Sequence, residues 1–163
     1  MSVLHTIGCY RFESIEATSL ALIPLLVRYR LDHCSIKLHL RQWQQFSQVE
    51  REQLLQMAFT SSADAATWEA HLTSVLQQRC LCAPDRLIDT VTPAWQQLDQ
   101  WPVEIVDRCA QLGLALPALA IWQSLTTPHR HALYKIARSR HDHVHLAAAL
   151  HEFSDVGVER RDN

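Results

Sequence analysis

Three histidines at alternating positions, His141, His143 and His145, are the residues whose types and spacing most directly suggest chemistry. On an α-helix, His141 and His145 would lie on one face at the i, i+4 spacing that is usual for two imidazole ligands of a metal ion. His143 would point elsewhere, and no carboxylate or thiol is tied to the site by the sequence. We therefore interpret the cluster as a solvated helix entry and keep a metal-binding protein or metalloenzyme as the alternative function.

The five cysteines are an odd number, and their spacing matches no disulfide framework. Cys80 and Cys82 are separated by one residue, whereas zinc knuckles and thioredoxin-like redox sites place two residues between paired cysteines. We interpret them as helix-end cysteines without shared chemistry. Cys34 and Cys109 fall on apolar helix faces and are expected to pack as small hydrophobic side chains. Reduced thiols of this kind fit a cytoplasmic protein.

A group of charged residues around a tyrosine is a candidate docking surface. A helix that starts at Pro24 would place Val27, Leu31 and Cys34 on one apolar stripe, and the charged residues lie mostly off that stripe. Arginine and tyrosine are enriched at protein interfaces, so the group predicts a partner-docking surface. The alternative is an ordinary solvated helix face. The candidate docking residues are Arg28, Tyr29, Arg30, Asp32 and Lys37.

The composition of this 163-residue chain predicts an all-α fold in a single domain. Nearly half of the residues are apolar and only three are glycine, and good helix formers dominate. The formal net charge of −2 argues against a nucleic-acid binder, including a helix–turn–helix regulator. The longest apolar run, residues 20–27, is too short to cross a bilayer. No secretory signal is evident at the N-terminus, so we expect a cytoplasmic protein.

Helix start and stop signals predict where the elements lie. Residues 47–50 form a capping box that starts one helix, and residues 64–80 show the clearest helical period. A further helix is predicted over residues 102–112, with Gly113 as its left-handed stop. A final helix is expected over residues 142–153, closing the core. Its predicted buried residues are Val144, Ala147, Ala148 and Leu150.

The two halves of the chain, residues 12–80 and 92–153, share a pattern that precedes a polar tail at residues 154–163. We predict two pseudo-repeated helix–turn–helix units and a C-terminal closing helix. The alternative is that unrelated segments share the same capping signals. The candidate docking residues have different counterparts around residues 105–108. The matched pairs include Trp43 with Trp122, Ser47 with Thr126, Arg51 with Arg130, Leu54 with Leu133 and, after one inserted residue, Ser35 with Gly113.

The stretch from Ile23 to Met57 also carries a family resemblance. It reads Ile-Pro, then Val-Arg-Tyr-Arg-Leu-Asp, a cysteine, Ser-Ile-Lys-Leu, a tryptophan, Phe-Ser and a Glu-Arg pair. This pattern closely resembles the signature region of the nitrate reductase associated proteins, small bacterial proteins best represented in cyanobacteria. The resemblance covers most of residues 12–153. Two departures are Ser35, where glycine is expected, and the histidines at 141–145.

The resemblance implies a non-enzymatic, chaperone-like accessory role in nitrate assimilation. The implied partner is assimilatory nitrate reductase, an enzyme that itself carries a molybdenum cofactor and an iron–sulfur cluster. A small helical protein of this family would assist maturation, cofactor insertion or assembly through protein–protein contact, or remain as a subunit. The resemblance supplies no catalytic or cofactor-binding residues, so we expect no cofactor in this chain. The resemblance does not fix the oligomeric state, and a homo-oligomer is compatible with it.

Overall fold

The computed structural model describes residues 8–88 and 92–159, except for the side chains of residues 156–159. Over these residues the chain is predominantly helical, with nine α-helices and two short strands, which confirms the predicted fold class. The chain divides into two compact units, one within residues 1–89 and the other within residues 90–163. The single-domain organisation stays a prediction. No helix in the described ranges is long and apolar enough to cross a membrane.

The first unit combines five helices with a short β-ladder. Strands β1 (Ile36–Lys37) and β2 (Asp85–Arg86) are antiparallel, with Lys37 opposite Asp85. The ladder joins the end of α2 to the segment that follows α5. The helices are α1 (Ile15–Thr18), α2 (Leu25–His33), α3 (Leu40–Gln45), α4 (Gln48–Gln56) and α5 (Ser62–Cys80).

Two fully buried tryptophans organise the core of this unit. The indole N–H of Trp43 donates to the Leu20 carbonyl at 2.9 Å, and that of Trp68 donates to the Leu54 carbonyl at 2.8 Å. Both side chains are 0% exposed. Burying so large an apolar side chain is favourable only because its single polar atom keeps a hydrogen bond. The tryptophans thereby connect distant segments of the unit.

Capping residues set the starts of α4 and α5. The Ser47 hydroxyl accepts from the Glu50 N–H at 3.3 Å, and the Glu50 carboxylate accepts from the Ser47 N–H at 2.7 Å, which confirms the predicted capping box. Ser61 forms the same arrangement with Asp64. Because Ser61 is the cap, α5 begins at Ser62, two residues before the position that hydrophobic periodicity predicts.

The second unit contains four helices and two 3-10 turns. The turns are Ala94–Gln96 and Asp142–His145. Four residues of its core are Trp95, Ile105, Trp122 and Leu133, which are at most 3% exposed. The helices are α6 (Val103–Leu112), α7 (Leu119–Ser124), α8 (Thr127–Arg138) and α9 (Leu146–Glu159).

The predicted core face of the final helix is wrong. The segment begins as a 3-10 turn, and the α-helix starts only at Leu146. Val144 is 65% exposed, and Ala147 and Ala148 are also exposed; of the predicted residues, only Leu150 is buried. The buried side chains are instead Leu146, Ala149, Leu150 and Phe153, which lie at i, i+3, i+4 and i+7.

The two units share local geometry at positions that the sequence matches. Ser35 and Gly113 follow α2 and α6 with positive φ values of 53° and 66°. The guanidinium groups of Arg51 and Arg130 each lie 5.9 Å from the centroid of a tryptophan ring, Trp43 and Trp122 respectively. These similarities support the predicted duplication, which stays a prediction. Ser35 adopts the left-handed conformation that the expected glycine would favour.

Candidate docking surface

The predicted docking residues on α2 divide between its exposed side and its buried side. Arg28 is exposed, and its Nε donates to the Ile23 carbonyl at 3.0 Å. Tyr29 and Asp32 are half-buried. Residues three and four positions apart on a helix are neighbours, so Asp32 lies next to both Arg28 and Tyr29. These three residues therefore form a continuous polar surface, which we call the α2 surface.

Arg30 corrects the sequence interpretation because it lies on the buried side of α2. Only 5% of it is exposed, and its Nη1 donates to the Leu54 carbonyl at 2.5 Å. Its guanidinium carbon lies 5.4 Å from the centroid of the Phe59 ring. Burial lowers the pKa of Arg30, against a smaller opposing effect of Tyr29. Arg30 therefore supports the α2 surface from within and is not available to a partner.

Phe59, in the connection between α4 and α5, holds the aromatic part of the α2 surface. Its ring packs edge-on against Trp68 at 5.8 Å, against His33 at 5.3 Å and against Tyr29 at 6.0 Å between centroids. This contact fixes Tyr29 without burying it completely. Phe59 could not be recognised from the sequence, because it lies between two predicted helices and has no periodic neighbours.

Lys37 lies on β1, which contacts α2. Its side chain is exposed, whereas that of Ile36 is 1% exposed, as the alternation of a strand requires. The partner strand is anchored by Arg86, whose guanidinium donates to Glu69 and, at 3.2 Å, to the Cys34 carbonyl. The hydrogen bond with Glu69 raises the pKa of Arg86, and the charge of Glu69 adds to this effect. The backbone that presents Lys37 is therefore held in place.

The histidine cluster does not form the helical face that a two-histidine metal site would use. His143 and His145 belong to the 3-10 turn, in which residues three apart are aligned, and His141 precedes it. The turn is closed by the Ser139 hydroxyl, which donates to the Asp142 carboxylate at 2.9 Å. Within residues 8–88 and 92–159, no group of three or more His, Cys, Asp or Glu side chains is arranged to hold a metal ion.

Two cysteines that the sequence assigns to packing lie against the cores of their units. Cys109 is 2% exposed, which confirms its expected role as a small buried side chain. Cys34 is half-buried against the core of the first unit. Burial raises the pKa of both thiols, so each is held in its protonated, less reactive form.

A polar cleft of about 230 Å³ lies between α6 and α8 in the second unit. Three of its four charged lining residues, Glu104, Arg108 and Arg138, bind protein atoms. The Arg108 Nε donates to the Ala137 carbonyl at 2.9 Å, and the Tyr134 hydroxyl donates to Glu104 at 3.1 Å. Arg138 donates to the same hydroxyl at 3.1 Å. Because these three residues already have partners within the protein, we assign the cleft a structural role.

The described residues form a predominantly helical protein, and its candidate site is an exposed to half-buried polar surface on α2. Comparison with protein families identifies the family of the chain. The chain belongs to the family of conserved nitrate reductase-associated proteins, whose family model matches residues 9–153. This confirms the resemblance carried by the stretch from Ile23 to Met57. No curated protein and no solved structure matched the chain.

Proposed function

We propose that this protein is a non-enzymatic accessory protein of assimilatory nitrate reductase that acts by direct contact with the enzyme. The observation that carries the proposal is the family match over residues 9–153, which includes all of α2, β1 and Phe59. The family is described by its association with nitrate reductase. The helical fold and the polar α2 surface are compatible with a role that depends on contact with another protein.

The docking surface that we propose consists of Arg28, Tyr29, Asp32 and Lys37. Arg28 and Lys37 are exposed cations, and they would favour an acidic region of the reductase because complementary charge speeds encounter and excludes wrong partners. Tyr29 is held by Phe59, so little side-chain entropy is lost when a partner covers it. The charges would orient the complex, and the tyrosine would supply its central contact.

An accessory role in maturation places a thermodynamic requirement on this contact. A protein that assists cofactor insertion or assembly must bind the immature reductase more tightly than the finished enzyme, because only a difference in affinity can shift an equilibrium. The same difference releases the accessory protein when maturation is complete. We propose such a chaperone-like cycle, with the α2 surface binding the form of the reductase that lacks its cofactors.

Gene deletion with complementation tests the function and the surface separately. In the deletion strain, we expect lower nitrate reductase activity per enzyme molecule and less bound molybdenum or iron. Wild-type protein and an Arg140→Glu variant, which reverses an exposed charge in the second unit, should restore both. The double variant Arg28→Glu/Lys37→Glu should not.

Unchanged reductase activity and cofactor content in the deletion strain would contradict the accessory function. Full complementation by the double variant, beside a clear deletion defect, would contradict only the proposed surface. The amount of each variant in the cells must be compared by immunoblot, so that loss of the protein is not mistaken for loss of contact.

A further inference from the structure

Cys80 and Cys82 lie at the junction between α5 and the segment that leads to β2. Cys80 is the last residue of the helix, and both side chains are half-buried against the core of the first unit. Leu81, between them, is 82% exposed. The pair is therefore at an edge that a small solute can reach, unlike Cys109, which is buried.

The backbone at Leu81 brings the two cysteines within disulfide range. Leu81 has φ 54° and ψ 33°, the left-handed helical conformation. This is close to the mirror image of an α-helical residue, so its two neighbours have Cα atoms roughly 5.4 Å apart, as positions i and i+2 of a helix do. Disulfides join Cα atoms that are about 4.4–6.8 Å apart. A separation of one residue between two cysteines matches no common redox motif, but at Cys80 and Cys82 it is compatible with a disulfide bond.

Gln42 of α3 gives the sulfur atoms of Cys80 and Cys82 different hydrogen-bonding environments. Its side-chain amide donates to the Cys82 Sγ at 3.4 Å, and its backbone carbonyl accepts from the Cys80 Sγ at 3.9 Å. The Gln42 side chain is itself fixed, because its Oε1 accepts from the His39 N–H at 2.8 Å in a capping box. A donor aimed at sulfur stabilises a thiolate, whereas a carbonyl aimed at sulfur keeps the proton in place.

We propose that Cys80 and Cys82 form a reversible redox site, with Cys82 as the attacking thiol and Cys80 as the resolving thiol. This proposal is independent of the proposed function. The oxidant is a low-molecular-weight disulfide. The Cys82 thiolate attacks one of its sulfur atoms and releases the first small thiolate, and a mixed disulfide remains on Cys82. Cys80 then loses its proton and attacks the Cys82 sulfur, which releases the second.

The two steps together convert two protein thiols and one small disulfide into one protein disulfide and two small thiols. Burial, together with the charge of Cys82 and a hydrogen bond with it, raises the pKa of the Cys80 thiol. Cys80 is thereby suited to react second, once the sulfur next to it has become electrophilic. Oxidation removes the S–H donor from the Gln42 carbonyl and so loosens one link between α3 and α5.

Mass spectrometry after exposure of the reduced full-length protein to oxidised glutathione tests the proposal. Remaining thiols are blocked with iodoacetamide before digestion with trypsin. Cleavage after Arg79 and Arg86 gives the peptide CLCAPDR, which holds both cysteines and no other. We expect this peptide to be unalkylated and lighter than its reduced form by two hydrogen atoms. Recovery of the doubly alkylated peptide, or of one with two bound glutathiones, would overturn the proposal.

Single substitutions test the assigned order. Cys80→Ser should accumulate a mixed disulfide with glutathione on Cys82, because no resolving thiol remains. Cys82→Ser should leave Cys80 largely alkylated, and the matched control Cys34→Ser should form the internal disulfide as the wild type does. In the Cys80→Ser background, Gln42→Glu keeps the cap on His39 but replaces the donor, and should slow mixed-disulfide formation about tenfold. Equal reactivity of Cys80 and Cys82, or an unchanged rate in the Gln42→Glu variant, would overturn the assigned order.

Discussion

Arg51 and Arg130 stabilise their units by binding main-chain oxygens. Arg51 donates to the carbonyls of Trp43 and Gln44, at 3.1 and 2.9 Å, and to that of Leu20. Arg130 donates from its Nε to the Trp95 carbonyl at 3.1 Å, and also to the Leu125 carbonyl and to the side-chain hydroxyl of Thr127. A planar guanidinium can satisfy several carbonyls at helix ends at once, which a lysine cannot.

Replacement of Arg130 should therefore be costly. Arg130 is 8% exposed, so Arg130→Met leaves buried carbonyls without donors. We expect a loss of about 3 kcal/mol in the free energy of unfolding, measured by urea denaturation. The control Arg140→Met removes an exposed charge and should change it by no more than about 0.5 kcal/mol. Equal stability of the two variants would contradict this explanation.

The burial of Arg30 could have been predicted from its position on α2. It lies three residues after Val27 and four before Cys34, so helical periodicity places it on the apolar stripe. Residue type instead predicted that Arg30 is exposed, because arginine is rarely buried without a partner. That partner is the Leu54 carbonyl at the end of α4, and no local sequence pattern reveals a contact so distant along the chain.

At the scale of the helices, backbone conformation after α2 and α6 gives a paired prediction. Ser35→Gly should raise the free energy of unfolding by about 1 kcal/mol, because serine is strained at φ 53°. Gly113→Ala should lower it by about 1 kcal/mol, since φ is 66° there. A Cβ at Gly113 would meet nothing within 4 Å, so the cost comes from the backbone alone. Urea denaturation of both variants checks the opposite signs, and effects of the same sign would contradict the explanation.

The link between α4 and α5 predicts a pH dependence. Arg79 Nε donates to both oxygens of the Glu50 carboxylate, at 3.0 and 3.1 Å. Burial acts to raise the pKa of Glu50, but hydrogen bonds from Ser47 and Arg79 outweigh it and hold the pKa below the ordinary value of 4.5. A carboxylate with a lowered pKa stabilises the fold above its unfolded-state pKa, and this contribution is lost as the pH falls through the folded-state value.

Glu50→Gln should consequently be less stable than the wild type at pH 7, and the difference should be smaller at pH 3, because protonation of Glu50 removes its charge. Glutamine can still complete the capping box, so the change isolates the charge. Urea denaturation at both pH values measures the difference. Glu52→Gln, on the same helix, is the matched control and should show a smaller difference at pH 7. A Glu50→Gln difference that stays constant with pH would contradict the assignment.

The register of α9 shows where element prediction failed. Two sets of residues at helical spacing compete in this segment, and we favoured the one that begins at Val144. The protein buries the set that begins at Leu146 and ends at Phe153. The second set contains the larger side chains and so buries more apolar area. The 3-10 turn before Leu146 changes the helical register, so Val144 does not share a face with the buried residues of α9. In the sequence, the signal for that turn is Ser139, which lies before the helix and whose hydroxyl donates to Asp142.

At the scale of the whole molecule, composition was enough to predict the helical class, and the stretch from Ile23 to Met57 was enough to predict the family. The sequence was enough to assemble only part of the proposed docking surface. Arg28, Tyr29 and Asp32 are neighbours on α2 as expected, but Phe59 joins them from a connection that carries no periodic signal. Tertiary contacts of this kind need the folded chain, because residues far apart in sequence create them.

A pull-down from nitrate-grown cells tests whether this protein associates with nitrate reductase. Tagged wild-type protein and the Arg140→Glu variant should both recover the reductase, identified by mass spectrometry and by its activity after cofactor loading. The Arg28→Glu/Lys37→Glu variant should recover at least about tenfold less, because it would present like charges to the acidic region that we propose on the reductase. Absence of reductase from the wild-type pull-down, in cells shown by immunoblot to contain the enzyme, would contradict the proposed association.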